Sequence, residues 1–361
     1  MPLKRIFALL FICLFSLSVY AENVEEITSD TLSIVDEGIH TQNYMQDKKF
    51  QLLFDIRMDG QVNYFQEDKT TSMGFKGAYF DLKMNGKIAD KFSYDVRYRM
   101  NNMHKEPLNF FSALDWAYVD YEINKNWHLS AGKQVVAIGG FEYDLAPIDM
   151  YLWSTFWNNV KPFQMGVSAK YISDSKKTTL MAQATNSVCA TKTFDSKFAY
   201  SLIWYGNYGF YSTISSVNMM EYERGKFINY IVLGNKFTFG NFNLELDWMN
   251  RASFEQNGFF KNFSIISTAR YQVADKWRLF VKGGYDQNLG QSADTPTETA
   301  YDKFVVPGTK YYYYGAGVEF FPLIKKNNNL RFHLFWTSNN NSPIKQEFNI
   351  GLRWQIRAVN R

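Results

Sequence analysis

Cysteine is almost absent from this chain of 361 residues, which contains only Cys13 and Cys189. With so few thiols, the sequence excludes both a disulfide framework and a thiolate metal cluster. Histidine is also scarce, and its four positions are too scattered for the spacing of a metal site: His40, His104, His128 and His333. We therefore expect neither a metal ion nor another cofactor.

An excess of charge of either sign is missing as well. The chain has 39 lysines and arginines against 35 aspartates and glutamates. Loss of Lys4 and Arg5 with a signal peptide would leave a net charge of about +2. So close a balance gives no reason to expect nucleic acid or an acidic macromolecule as a partner.

Beyond the N-terminus, no stretch is long and apolar enough to predict a transmembrane helix. The mean hydropathy is −0.32, yet aromatic residues make up 18% of the chain. This combination is typical of a transmembrane β-barrel, in which only every second strand residue faces lipid and both interfaces carry aromatic girdles. A soluble β-sandwich could share these statistics, so the periodicity of the sequence has to decide.

The N-terminus has the three parts of a secretory signal peptide. Lys4 and Arg5 precede the apolar run 6–17, and small residues lead to a cleavage site after Ala21. The run is too short to span a bilayer comfortably as a helix. The sequence therefore predicts a signal peptide at 1–21, an acidic periplasmic tail at 22–49 and a folded domain at 50–361.

From Gln51 onwards the sequence alternates with a period of two, as a strand with one apolar and one polar face does. The first apolar face comprises Leu52, Phe54, Ile56, Met58, Val62 and Tyr64. The polar face between them comprises Gln51, Asp55, Arg57, Asp59, Gln61 and Asn63. The alternation recurs to the C-terminus and predicts about 16 strands, an even number as in bacterial single-chain barrels.

Loop lengths provide an independent test of the barrel. Short turns are predicted at 89–91, 124–126, 173–177, 206–208, 239–242, 274–276 and 322–328. Mostly longer loops lie between them at 66–73, 101–112, 139–162, 187–197, 218–226, 252–260, 288–309 and 338–345. Short periplasmic turns and long extracellular loops alternate in this way in outer-membrane barrels, but not in sandwiches. We therefore expect an all-β, transmembrane antiparallel barrel in the outer membrane of a Gram-negative bacterium.

Aromatic residues follow the short turns directly, where a periplasmic girdle would need them: Phe92, Trp127, Tyr208, Phe242 and Trp277. The general preference of aromatic residues for strands is the alternative explanation. The last strand, near 346–357, also alternates clearly. We expect it to pair with the first strand and so close the barrel.

Five basic residues fall on the polar faces of strands one, two, three and sixteen: Arg57, Lys83, Arg97, Arg99 and Arg353. Because these strands become neighbours when the barrel closes, we expect a basic arc on the wall of the pore. The alternative is a solvated inner face with no special role.

The predicted loop from Gly139 to Pro162 is unusually rich in aromatic residues, which a surface loop seldom exposes. We expect it to fold into the barrel and narrow the pore, with four candidate residues at the constriction: Glu142, Asp144, Asp149 and Trp153. Its carboxylates would face the basic arc and create a transverse field that selects ions. The alternative is that the loop packs across a trimer interface or against lipid headgroups.

Several strand segments resemble the phosphate-selective porin O/P family, in its version from the Bacteroides group. They are AYFDLKMNGKIADKFSY at 78–94, AYVDY at 117–121 and LSAGKQ at 129–134. The resemblance covers most of residues 50–357 and implies a 16-stranded barrel, usually trimeric, with an inward third loop and a preference for anions. Expected partners are outer-membrane lipid and lipopolysaccharide, small hydrophilic or anionic solutes, and further copies of the chain in a homotrimer.

The sequence departs from this family in the charge of its polar faces. Members resemble one another in lining the pore with an excess of arginine and lysine, whereas here acidic positions nearly cancel the basic ones. We therefore expect a porin for passive diffusion of small hydrophilic solutes, with at most a weak preference for anions.

Two other classes of function remain open. A receptor or structural barrel with a closed lumen is one of them, although no separate plug domain precedes Gln51. An outer-membrane hydrolase is the other, with His128 and Ser130 as the nearest pair of base and nucleophile on one strand face. Since His128 and Ser130 have no convincing further partners in the sequence, we do not expect an enzyme.

Overall fold

A computed structural model describes residues 49–102, 110–191, 195–254, 256, 258–289, 301–323, 330–341 and 343–360. The first eight strands are β1 (Gln51–Phe65), β2 (Thr70–Ala89), β3 (Phe92–Arg99), β4 (Leu114–Glu122), β5 (Trp127–Val135), β6 (Phe163–Ile172), β7 (Thr178–Asn186) and β8 (Phe198–Asn207). The other eight are β9 (Tyr211–Glu223), β10 (Lys226–Phe239), β11 (Phe242–Ser253), β12 (Asn262–Ala274), β13 (Trp277–Asn288), β14 (Lys310–Phe320), β15 (Leu330–Asn339) and β16 (Lys345–Asn360). The predicted signal peptide and all but the last residue of the predicted tail lie outside the described residues.

Each strand pairs antiparallel with the next, and β16 pairs with β1, so the described strands form one closed barrel of sixteen. The predicted fold is confirmed. The register places Arg57 opposite Arg353, and Arg353 opposite Arg331. It also places Asp55 opposite Asp81. Like charges in direct opposition repel each other, so these inner positions require counter-charges from elsewhere.

The connections differ between the two ends of the barrel, as the sequence predicts. Two loops predicted to be longer, 66–73 and 218–226, are nevertheless tight turns at 66–69 and 224–225, because β2 begins at Thr70 and β9 continues to Glu223. The apolar alternation fails at both places. In β2 a register shift beside Met58 moves the outward face from even positions to odd ones such as Phe75, whereas the end of β9 turns large apolar side chains inwards, among them Met220 and Tyr222.

The aromatic residues that follow the short turns form pairs across neighbouring strands. The ring centroid of Phe92 lies 4.8 Å from that of Tyr121, and the ring of Trp127 lies 5.1 Å from that of Tyr171. Trp277 pairs with Phe320 at 4.6 Å. Aromatic pairs at this separation stabilise adjacent strand ends beyond the burial of their surface. The girdle therefore includes aromatic residues before three of the turns, Tyr121, Tyr171 and Phe320, as well as those after the turns.

The connection between β5 and β6, residues 136–162, is called the third loop below. It contains α2 (Phe141–Asp144), the 3-10 turn Pro147–Asp149 and α3 (Thr155–Asn159). The other short helical segments are α1 (Phe110–Ala113) and the 3-10 turns Met100–Asn102 and Phe259–Lys261. Among the residues described, none of these helices is long and apolar enough to cross a membrane.

Glycines in the inner wall allow the third loop to approach the strands closely. A Cβ atom on Gly234 of β10 would lie 2.9 Å from the Cα atom of Gly140. A Cβ atom on Gly315 of β14 would lie 2.8 Å from Leu152. Real Cβ atoms do not sit this close to neighbouring atoms, so a side chain at either position would push the loop away from the wall.

Candidate functional site: the third loop inside the barrel

Two carboxylates of the wall hold the helices of the third loop by their first turns. Asp247 of β11 accepts hydrogen bonds from the backbone N–H groups of Phe141 at 2.9 Å and Glu142 at 2.7 Å. Asp286 of β13 accepts one from the N–H of Thr155 at 2.7 Å, where α3 begins. These N–H groups have no partner within their own helix, so an acceptor on the wall satisfies them. The loop is thereby bound to the inner surface of the barrel.

Glu142 joins the loop to the same part of the wall by its side chain. Its Oε1 atom lies 2.7 Å from the Nζ atom of Lys282 on β13 and accepts a hydrogen bond from Tyr313 on β14 at 3.0 Å. Lys282 also donates to the carbonyl of Leu152 at 2.7 Å. Ser154 donates to the second oxygen of Glu142. A buried charge is tolerated when it is paired and hydrogen-bonded in this way.

Asp149 lies between arginines of two further strands. Its Oδ1 atom is 2.6 Å from Nη2 of Arg331 on β15 and 3.1 Å from Nη1 of Arg353 on β16. Arg57 on β1 donates to the loop carbonyls of Ile148 at 3.2 Å and Met150 at 2.7 Å. Asp149 thus supplies a counter-charge where the register aligns three arginines across β15, β16 and β1.

Tyr151 occupies the centre of this contact. Its ring stacks on Phe280 with centroids 5.0 Å apart and lies 4.8 Å from the ring of Phe335. The guanidinium of Arg57 is 4.9 Å from the ring centroid. Its hydroxyl donates to Glu319 at 2.8 Å. One side chain of the loop therefore combines aromatic, cation–π and hydrogen-bond contacts with inner residues of four strands.

The predicted basic arc lies on neighbouring strands, and each of its members is close to a carboxylate. Arg57 pairs with Asp59 at 3.0 Å. The remaining pairs are Lys83–Asp55 at 3.4 Å, Arg97–Asp81 at 3.1 Å, Arg97–Asp115 at 3.1 Å, Arg99–Asp115 at 2.9 Å and Arg353–Asp55 at 2.8 Å. Arg99 and Arg353 keep the most exposed side chains of the five, at 18% and 11%.

Some of these ion pairs join those of Glu319 with Arg278 and Arg331 to form a continuous row of contacts along the wall. It runs through Arg278, Glu319, Arg331, Asp149, Arg353, Asp55 and Lys83. Because loop and wall touch here, the charges of Asp149 and the arginines meet in direct ion pairs. They do not face each other across the lumen as the sequence led us to expect.

The four candidate constriction residues differ in their surroundings. Glu142, Asp144 and Asp149 are buried, whereas Trp153 is 37% exposed. The indole of Trp153 stacks over that of Trp157, with centroids 6.1 Å apart. Only Asp149 approaches a member of the basic arc in an ion pair of the described residues, while Glu142 pairs with Lys282 on the other side of the loop.

An apolar cluster, called the mouth cluster below, fills the barrel beside β8–β11. The third loop contributes Val136, Ile138, Tyr143, Phe156 and Val160. Two other loops contribute Val188, Cys189, Tyr301, Phe304 and Val305. The inner wall contributes Ala199, Met220, Tyr222, Ile228, Tyr230, Val232 and Met249. Apolar residues on an inner face are unusual for an aqueous barrel, and here they bury the loops.

The pair considered for hydrolysis has a different geometry from a catalytic dyad. Ser130 donates to Oδ1 of Asp120 at 2.6 Å, and Nδ1 of His128 lies 3.0 Å from Oδ2 of the same carboxylate. The hydroxyl of Ser130 thus donates its proton to the aspartate. In a nucleophile–base pair it would donate to the imidazole of the histidine instead. Within the described ranges, no three His, Cys, Asp or Glu side chains are grouped so as to hold a metal ion.

Sequence reasoning missed most of the residues that hold the loop. Alternation alone places Arg331, Lys282 and Glu319 on inner faces, but it cannot pair them with a loop that is distant in sequence. In the sequence, Tyr151 is one of many aromatic residues of the loop, and nothing distinguishes it from the others. Nothing in the sequence indicates that Asp247 and Asp286 bind helices of the loop, because these helices are only four and five residues long and show no helical periodicity.

Comparison with known proteins supports the class of protein that the fold and loop define. The family model "Phosphate-selective porin O and P" matches residues 50–226. No curated protein sequence matches the chain. The family match and the fold support an outer-membrane porin of a Gram-negative bacterium.

Solved outer-membrane barrels share the fold at low sequence identity. An anion-selective porin from Comamonas acidovorans is 13% identical, with a TM-score of 0.57 over 86% of this chain and 100% of that one. The channel DcaP of Acinetobacter baumannii is 11% identical, with a TM-score of 0.57 over 85% and 97%. OmpT of Vibrio cholerae in a trimer form is 13% identical, with a TM-score of 0.56 over 85% and 100%.

The substitution Asp149→Asn should loosen the third loop. Removing this charge leaves the aligned arginines with one counter-charge fewer, which should lower the free energy of unfolding by about 1–3 kcal/mol. The denaturant midpoint of the folded barrel in detergent measures this loss. Asp195→Asn is the matched control, because Asp195 pairs with Lys197 in another loop at 3.0 Å. An equal shift in both variants would contradict the role given to Asp149.

Cys189 should be almost unreactive in the folded protein. Burial in the mouth cluster raises the pKa of its thiol from the ordinary value of 9.0 to about 12, so the reactive thiolate is scarce at pH 7–9. Maleimide labelling at pH 8 should be slow in the native barrel and rapid after unfolding. Rapid labelling of the native protein would show that the mouth cluster is open to water.

Proposed function

We propose that the protein is a pore through which small hydrophilic solutes diffuse passively, narrowed by the third loop. The observation that carries the proposal is the position of this loop, which contacts inner residues of β1, β11 and β13–β16 within a closed barrel. A loop bound to the inner wall reduces the cross-section without sealing it by a separate domain. Outer-membrane barrels of this size otherwise enclose a wide aqueous channel.

We further propose a weak preference for anions, with the basic arc as part of the pore lining. The exposure of Arg99 and Arg353, the most accessible cations of the arc, supports this. Close pairing with carboxylates weakens the field of each arginine, because opposite charges at contact distance largely cancel beyond it. The same pairing argues against a pore dedicated to phosphate. The solved porin from Comamonas acidovorans is itself described as anion-selective.

Among the constriction candidates, Trp153 has the exposure that contact with a passing solute requires. Glu142, Asp144 and Asp149 would act through the position they give to the loop, because they are buried. We therefore assign Trp153 to the surface of the constriction and the three carboxylates to its support. A Bacteroides-group origin is also part of the proposal, and it rests on the strand segments at 78–94, 117–121 and 129–134.

Planar-bilayer recording tests the pore and its selectivity together. We expect an ohmic channel whose reversal potential in a salt gradient indicates a small preference for anions. In Arg353→Gln the ratio of anion to cation permeability should fall by roughly two- to fourfold, the effect of removing one screened charge beside the path. The control is Lys226→Gln, in an exposed pair at the rim. Preference for cations in the unaltered protein would contradict the assignment of the arc.

We propose that the pore assembles as a homotrimer. The support is the resemblance to the porin O/P family and the trimer form in which the OmpT fold of Vibrio cholerae has been solved. Closed cyclic assemblies are the usual outcome when identical chains associate. Chemical cross-linking in native outer membranes should yield dimers and trimers as the largest products. A ladder that stops at the monomer or dimer would contradict the trimer.

A further inference from the structure

Residues 301–305, in the connection between β13 and β14, lie inside the barrel. Tyr301, Phe304 and Val305 are buried in the mouth cluster, and Asp302 is only 1% exposed. Asn288, the last residue of β13, donates to the carbonyl of Val305 at 2.5 Å. The segment 301–305 therefore packs against the inner wall of the barrel.

A buried ion pair fixes this segment to β11. Nε of Arg251 lies 2.8 Å from Oδ2 of Asp302, and both side chains are fully buried. The other oxygen of Asp302 accepts hydrogen bonds from the backbone N–H groups of Phe304 at 3.3 Å and Val305 at 3.1 Å. Asp302 thus shapes the turn of the segment and ties it to the wall at the same time. Arg251 is held in turn by Ser264, at 2.7 Å.

The segment also rests on the third loop. The ring of Phe156 in α3 meets that of Phe304 edge-on at 5.8 Å and that of Tyr230 edge-on at 5.4 Å. Asn159 at the end of α3 donates to the carbonyl of Phe304 at 2.7 Å. The guanidinium of Arg251 lies 5.8 Å from the ring of Phe156. The third loop and the segment 301–305 therefore share one anchor on β10 and β11.

We propose that the segment 301–305 is a second element of the constriction and that Arg251 and Asp302 are its positioning residues. Together with the third loop it fills the lumen beside β8–β11, so that solutes pass along the opposite wall. That wall carries the basic arc, and bringing the solutes close to it is what gives closely paired arginines an influence on selectivity. This inference rests on the pore proposed above.

The variant Asp302→Asn tests the positioning role. It leaves the guanidinium of Arg251 buried without a carboxylate, a change that destabilises buried pairs strongly. Cys189 belongs to the same cluster and is the reporter. We expect its maleimide labelling at pH 8 to be at least about tenfold faster than in the unaltered protein, the rate rising with the population of the open cluster. We also expect a larger conductance and passage of larger polyethylene glycols.

Two further variants separate positioning from general damage. Glu223→Gln breaks an exposed pair with Lys226 at the rim, and it should leave both labelling and conductance unchanged. The double variant Arg251→Met/Asp302→Asn removes both charges, as buried pairs often tolerate, and keeps a side-chain oxygen that accepts from the N–H groups of Phe304 and Val305. It should restore slow labelling and the original conductance. If Asp302→Asn does not fold, the labelling of Cys189 in two other variants tests the same positioning role. It should be slow in the double variant and rapid in Arg251→Met alone.

Slow labelling and unaltered conductance in a folded Asp302→Asn barrel would overturn the inference. The same holds if Cys189 becomes accessible while conductance and polymer size limit stay constant, because the segment would then lie away from the solute path. A folded, unaltered barrel that inserts into bilayers without carrying current would contradict the proposed pore instead. In that case the thiol measurement still reports whether Arg251 and Asp302 hold the segment.

Discussion

The contact of Asp149 with Arg331 and Arg353 is the interaction on which the arrangement of the lumen depends. The register of β15, β16 and β1 places three arginines side by side on the inner wall. Their repulsion would be severe at the low dielectric of a packed interior, so the wall needs negative charge where the loop arrives. Asp149 of the third loop supplies part of this negative charge, and its ion pairs hold the loop in position. Wall and loop are therefore stabilised by the same contact.

This dependence explains why the inner surface is divided into two halves. Beside β8–β11 apolar inner residues bury the loops in the mouth cluster, around the ion pair of Arg251 with Asp302. Beside β1–β4 and β13–β16 most of the contacts are ion pairs, with Phe280 and Phe335 forming a smaller apolar patch. The loop spans the boundary, with Phe156 in the apolar half and Tyr151 in the charged half. One loop therefore makes apolar contacts with one part of the inner wall and polar contacts with the other.

Close pairing also sets the character of the proposed selectivity. A wall of unpaired lysines and arginines would hold an anion tightly, whereas arginines in contact with carboxylates offer only a residual field. The exposure of Arg99 and Arg353 decides which charges a solute can meet, and both sit beside an aspartate. The site is suited to transient contact with many small solutes and not to strong binding of one.

The sequence by itself determined the barrel, because a period of two is a local property that each strand displays without its neighbours. It predicted the strands around Asp55, Arg57 and Arg353, and it failed at the register shift in β2 and at the inward Met220 of β9. It also singled out the third loop from its aromatic content. Only the tertiary structure decided which charges meet, since Asp149 and Arg331 are separated by 182 positions. The joining of Arg251 to Asp302 likewise depends on strand shear and loop path, which spacing along the chain does not encode.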